Sequence, residues 1–209
     1  MTAAVAETPR TLPAAQERPA VGEPQPRSAP RPDDEPYVTE HRDEPHYEVR
    51  YGVRVETPWM GTRENKIALR LGARMELHSA DRGLGDVIHE NLFWVDRAAD
   101  LQLRPDLAFV SRARWPGPVP DENVWDVVPD LAVEVVSRSN SAFELKDKLR
   151  DYFRCGVRAV WVVYPPHRQI ECWTSPTQVR ILTEAEALEG GDVLPEFSVA
   201  VSAVFADMA

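Results

Sequence analysis

The chain has 209 residues, 43% of them hydrophobic, enough for one good core and an expected organisation of one domain plus an extension. Thirty-four acidic residues against 24 basic ones give a net charge of −10, which argues against a general nucleic-acid coat protein, since that would be strongly basic. Cys155 and Cys172 lack CxxC spacing and give neither a disulfide framework nor a zinc signature, and no apolar run is long enough for a membrane span or a signal-peptide core, so a cytoplasmic protein is expected.

Residues 1–45 hold nine of the 19 prolines, with interspersed Arg and Glu and almost no aromatics. Such a segment cannot bury enough apolar surface to offset its ordering entropy, so a disordered tail is predicted there. Residues 46–209 read as the folded domain. Tyr47 to Thr57 alternates apolar and polar residues around Gly52, which predicts two short strands joined by a turn. From Arg63 to about Ser79, Ile67, Leu71 and Met75 recur at helical spacing, and Gly83 and Gly85 end the helix. Val87 to Val95 and Leu101 to Val110 each predict a strand, followed by a Pro- and Trp-containing loop from Ser111 to Val128. Leu131 to Val136 is an apolar, β-branched run of buried-strand length.

The second helix is the best-marked element. Ser141 and Glu144 have capping-box spacing, Leu145, Leu149, Tyr152 and Phe153 form a stripe, and Gly156 supplies a left-handed stop. Strands at Ala159 to Val163 and Gln169 to Trp173 follow, and Ile181 to Phe205 closes the chain. No internal repeats are present.

Two acids stand out. Glu134 lies between valines in the buried run, where an unpaired carboxylate is costly. Asp106 belongs to the neighbouring predicted strand, although after Pro105 it could also serve as an ordinary strand-entry residue. Two strand-borne carboxylates with a cation between them make an oxygen site suited to Mg²⁺, and hence to phosphodiester chemistry. Lys148 borders the stripe of the second helix, so its stem can pack on the sheet while its ammonium reaches the strand end. As a border residue it is expected to be replaceable by alanine with little loss of stability. Glu64 reads equally as a site residue and as a first-turn acid complementing the helix dipole. Asp130 reads as opening its strand, and Trp161 and Trp173 read as core. Arg112, Arg114, Arg138, Lys146 and Arg150 lie near the acids in sequence and could form a DNA-contacting patch, or be a solvated surface.

The chain from Tyr47 to Phe205 resembles the PD-(D/E)XK nuclease superfamily and, within it, the Uma-type restriction endonuclease family. The resemblance rests on Tyr47-Glu48-Val49 with Gly52, Arg104-Pro105-Asp106, and Pro129-Asp130-Leu131-Ala132-Val133-Glu134-Val135-Val136-Ser137. It continues through Lys148-Leu149, Tyr152, Gly156-Val157-Arg158 and Val160-Trp161-Val162-Val163. Val136 stands where the superfamily pattern has a lysine, and Lys148 matches the family's helix-borne one. Glu64 aligns with a position where the family often has histidine, and Arg138 stands where it usually has proline. The resemblance implies a restriction endonuclease-like α/β fold, a mixed sheet flanked by helices. It also implies a Mg²⁺-dependent DNA endonuclease, with Mn²⁺ as an acceptable substitute and with a homodimer left open. Asp106, Glu134 and the Val135 carbonyl would hold the ion, Lys148 would orient water or offset phosphorane charge, and Glu64 would bind a second ion or position water. The alternatives are a catalytically degenerate nuclease fold that binds nucleic acid or a partner, and an interaction protein in which the tail matters most.

Overall fold

Positive φ at Tyr51 (53°) and Gly52 (80°) turns the chain between strands β1 (Tyr47–Arg50) and β2 (Val53–Glu56), the expected hairpin. The computed structural model describes residues 45–137 and 141–206. The expected tail, apart from Pro45, and Arg138 lie outside the described residues. Helix α1 (Thr62–Arg82) buries Ile67, Leu71 and Met75 on one stripe and ends at Gly83, which is left-handed at φ 63°.

The next two apolar runs are not single strands. Val87 to Val95 divides into β3 (Gly85–His89) and β4 (Leu92–Asp96), with Glu90 at φ 49° between them. Leu101 to Val110 divides into β5 (Leu101–Leu103) and β6 (Leu107–Ser111). Pro105, which has no N–H to give a ladder, sits at the second break. In each case one half joins one sheet and the other half another, and a polar triplet, His89-Glu90-Asn91 or Arg104-Pro105-Asp106, stands at the crossing.

Strand β7 (Val124–Trp125) is a short pairing within the expected loop, and β8 (Leu131–Val135) is the buried strand. Helix α2 (Ala142–Cys155) has the predicted capping box, with Ser141 and Glu144 bonding reciprocally, and stops at left-handed Gly156. Strands β9 (Ala159–Tyr164), β10 (Gln169–Ser175), β11 (Gln178–Leu182), β12 (Ala187–Glu189) and β13 (Ser198–Ala200) follow, then helix α3 (Val201–Val204).

The strands form mixed sheets, as expected. A six-stranded sheet runs β11-β10-β9-β8-β6-β3, with β8 and β9 parallel and the other pairs antiparallel. A five-stranded sheet runs β2-β1-β5-β4-β7, and β12 pairs with β13. Period-two alternation sends Leu131, Val133 and Val135 to the face covered by α1 and the C-terminal segment. Ala132 lies on the opposite face, among residues of α2 and the five-stranded sheet, and Glu134 is in phase with it. Burying each apolar side chain of β8 contributes roughly 1.5–3 kcal/mol, so the strand can carry one buried carboxylate if that carboxylate is well partnered. Trp161 is core, whereas Trp173 is only partly buried and its indole N–H donates to Glu171. Among the described residues no helix is long and apolar enough to cross a membrane.

Candidate active site

The antiparallel register pairs Leu107 with Val133, so one step further along the strands Asp106 stands opposite Glu134. The Val135 N–H donates to Asp106 Oδ2 at 2.5 Å, which closes that pairing through a side chain instead of a strand carbonyl. Helix α2 then lays Lys148 and Tyr152, one turn apart, over Glu134. The Tyr152 hydroxyl donates to Glu134 Oε1 at 2.7 Å, and the Lys148 ammonium lies 2.9 Å from each Glu134 oxygen. Asp106, Glu134, Val135 and Lys148 all line one cavity of about 360 Å³.

A further glutamate completes the cluster. Glu48, on β1 and 2% exposed, lies 2.8 Å from Lys148 Nζ and accepts the Arg104 N–H at 2.9 Å. Its other oxygen accepts from Arg50 Nε at 2.9 Å and Nη2 at 2.6 Å. Lys148 also donates to the Arg104 carbonyl at 2.9 Å, so four oxygens surround one ammonium. Sequence reasoning quoted Glu48 within a motif but gave it no role. The alternation offered no signal, because Glu48 falls in phase with the polar Arg50 and not with Tyr47 and Val49.

Glu64 is not part of this cluster. It sits in the first turn of α1 and does not line the cavity, with its carboxylate packed so closely on Gly61 that a Cβ there would meet it. Gly61 offers no side-chain cap, so an acid in this turn offsets the helix dipole instead. Glu48, unlike Glu64, shares the cavity with Asp106 and Glu134. The basic patch likewise divides. Arg114 pairs with Asp130 at the far end of β8 and Arg112 pairs with Asp86, while Lys146 and Arg150 are exposed on α2. Asp130 does more than open a strand: it is 3% exposed and accepts the Ser111 N–H at 2.9 Å.

The electrostatics follow from three carboxylates sharing few cations. Burial alone would raise Glu48, but Lys148 and Arg50 outweigh it and hold Glu48 below its ordinary value. Glu134 stays above its ordinary value despite its ion pair, because burial and the Glu48 charge outweigh Lys148. Asp106, which among the described residues has no ion pair, is pushed up to about 7 by burial and by the Glu134 charge. Burial opposes the Lys148 charge, yet Glu134, Glu48 and Asp106 together raise its pKa and keep it cationic. The cluster therefore holds more negative charge than its own cations neutralise, and Asp106 is where the deficit falls.

Such a donor set fits a hard divalent ion. A carboxylate offers about four lone-pair sites, so Glu134, engaged by three donor contacts, keeps one, and Asp106 keeps three. Among the described residues no group of three or more His, Cys, Asp or Glu side chains is arranged to hold a metal. A two-carboxylate site completed by a carbonyl and water is the arrangement Mg²⁺ commonly takes.

Comparisons with known proteins agree with the fold. A crystal structure titled as "a putative nuclease belonging to DUF820", from Anabaena variabilis ATCC 29413, superposes with a TM-score of 0.66 at 13% identity. The match covers 76% of this chain and 89% of that one, which makes the common ground the nuclease fold. No curated protein matches the chain. The model of the Uma2 family, described as "Putative restriction endonuclease", matches residues 34–202 and so begins inside the segment expected to be tail. With most of its length inside that match, the chain belongs to the Uma2 family.

Proposed function

We propose that this protein is a Mg²⁺-dependent endonuclease that hydrolyses DNA phosphodiester bonds. The observation that carries this reading is the convergence of Glu48 and Glu134 on Lys148 in the cavity that Asp106 also lines, with Asp106 raised to about 7 by burial and the Glu134 charge. Asp106 and Glu134, with the Val135 carbonyl, would hold the ion; Mn²⁺ would serve in its place. A bound divalent ion supplies a water of lowered pKa and polarises the phosphate.

The protein's own residues do the rest. Tyr152 and Lys148 fix the Glu134 carboxylate from two sides, so its free lone pair keeps one direction. Glu48 holds the Lys148 ammonium against the cavity wall, and Arg50 and the Arg104 N–H hold Glu48 in turn. Lys148 can turn one N–H from a carboxylate to a phosphate oxygen as negative charge grows there, which is the point where a fixed cation contributes most. Asp106 must be ionised to bind the ion, and a second positive charge beside it favours that form.

A second reading, a catalytically degenerate fold that binds nucleic acid or a partner, is favoured by one observation. The Lys148 ammonium is already surrounded by oxygens within 2.9 Å, as in a self-contained structural ion pair. Nicking of supercoiled plasmid in Mg²⁺, beside Mn²⁺ calorimetry, separates the two. The nuclease reading expects wild type to nick and to bind Mn²⁺, and Glu134→Gln to lose both. Mn²⁺ binding unchanged in Glu134→Gln, or no cleavage of either supercoiled or gapped plasmids of varied sequence, would favour the second reading.

A further inference from the structure

Trp59 is 60% exposed yet held in place. The Thr57 N–H donates to the His46 carbonyl at 2.7 Å, Pro58 restricts the backbone just ahead of the ring, and Met60 packs on the core. The segment is thus anchored on both sides of a side chain left in solvent. A single exposed hydrophobic residue needs no explanation. This one lies against the His46 ring, with centroids 3.6 Å apart at 38°, and both rings line the cavity that holds Asp106 and Glu134. The His46 imidazole is half-buried behind the indole and sits 3.8 Å from the Glu90 carboxylate.

Charge decides what such a surface can take. Seven carboxylates line the cavity against three Lys and Arg side chains, and the whole chain carries −10. Intact duplex DNA presents one negative charge per roughly 1.7 Å of axis and shields its bases, so a cavity of this sign gains little from it. Stacking is indifferent to that sign, because every base has a π-face, and it is available only where a base is unpaired. A cavity of about 360 Å³ falls in the range of small-ligand sites, roughly 300–1,000 Å³.

We propose that the Trp59–His46 pair is a stacking platform for an unpaired base of the strand to be cut, so that the enzyme engages frayed ends, overhangs or gaps in preference to duplex interiors. The proposal names the substrate class of the site and rests on the nuclease reading above. An extruded base stacks on the outer face of the indole, and its neighbouring phosphate extends towards the acidic end of the cavity.

The test uses the full chain and oligonucleotides carrying 2-aminopurine, either in a single-stranded overhang or inside a blunt duplex, with Ca²⁺ in place of Mg²⁺. The overhang probe should bind at least ten times more tightly than the duplex, and its fluorescence should be quenched on binding. Trp59→Ala should weaken overhang binding roughly ten- to a hundredfold and remove the quench, while Trp59→Phe keeps most of both. Since the ring is largely in solvent, melting temperature should barely move, and circular dichroism checks this. Equal binding of the two probes by wild type, or overhang binding untouched by Trp59→Ala, would overturn the platform even if plasmid is nicked. Overhang binding through Trp59 in Ca²⁺, with no strand cleavage once Mg²⁺ or Mn²⁺ replaces it, would keep the platform and remove the nuclease reading. Binding of neither probe removes the platform outright.

Discussion

Strand β8 carries a buried carboxylate at each end, and the two ends behave differently. Asp130, just before the strand, is partnered by the Ser111 N–H and the arginines Arg114 and Arg158, all of them donors to a single acid. Glu134, near the other end, shares Lys148 with Glu48 and faces Asp106 across the sheet, beside a cavity. Both acids are at least nine-tenths buried, so burial does not separate them. The difference is the balance of charge. One end has more donors than acids, and the other gathers acids until one of them is pushed to about 7. An excess of buried like charge is what a divalent cation relieves, so the site we propose lies at this end.

The sharpest way to break this comparison is Lys148→Ala. Removing the ammonium leaves Glu48 and Glu134 buried without their shared partner, and breaking a buried pair in this way costs about 3–5 kcal/mol. The expectation from sequence, a border lysine replaceable at little cost in stability, is therefore corrected by the structure. Urea denaturation should show a large drop, and adding Glu48→Gln and Glu134→Gln should return much of it. A Lys148→Ala protein as stable as wild type would mean that the ion pairs contribute nothing.

At the other end of β8, Asp130→Ala strands the Ser111 N–H and should cost about 1–3 kcal/mol. Mg²⁺-dependent plasmid nicking per folded molecule should stay at the wild-type rate. A rate that falls as far as in Glu134→Gln would erase the distinction between the two ends.

The last effect depends on pH. The Asp106 carboxyl is raised from 3.8 to about 7 in the folded protein. Between those values the folded state binds more protons than the unfolded one, so stability is highest below about pH 4 and falls as pH rises through 7. Asp106→Asn removes that loss while its amide oxygen can still accept the Val135 N–H. Without metal the variant should therefore gain up to about 4 kcal/mol at pH 8 and close to nothing at pH 4, read from urea curves at both pH values. With Mn²⁺ present the order should reverse, because only wild type gains from binding. A flat difference across pH would show that Asp106 titrates normally.

What the sequence discloses depends on how local the cause is. The capping box of Ser141 and Glu144 and the stop at Gly156 act within one helix, and they are legible. Asp106, Glu134 and Lys148 were legible as an anomaly, polar groups beside buried runs, and the sheet register brings the two acids face to face. Glu48 was not, because its meaning comes from Lys148, a hundred residues later and on another element. The strand breaks at Glu90 and Pro105 had a signal in the polar triplets His89-Glu90-Asn91 and Arg104-Pro105-Asp106, but the change of sheet at each did not. An apolar run says that a segment is buried and does not say in which sheet. Arg112 and Arg114 follow Asp106 closely in sequence, yet β6 carries them to the opposite end of its length.

The two sheet crossings meet at one residue. The Glu90 N–H donates to the Asp106 carbonyl at 3.1 Å, and the Asp106 carboxylate takes the Val135 N–H. Main chain and side chain of a single aspartate thus clasp both turnings of the backbone to the central strand. A residue so placed is a latch in time as well as in space. The amide protons of Glu90 and Val135 both bond this aspartate, and in deuterium they should exchange at matching rates where the segment opens as one unit. A metal held by that carboxylate would slow that opening for both sheets at once, so the chemistry of the cavity would set the rate at which the scaffold breathes.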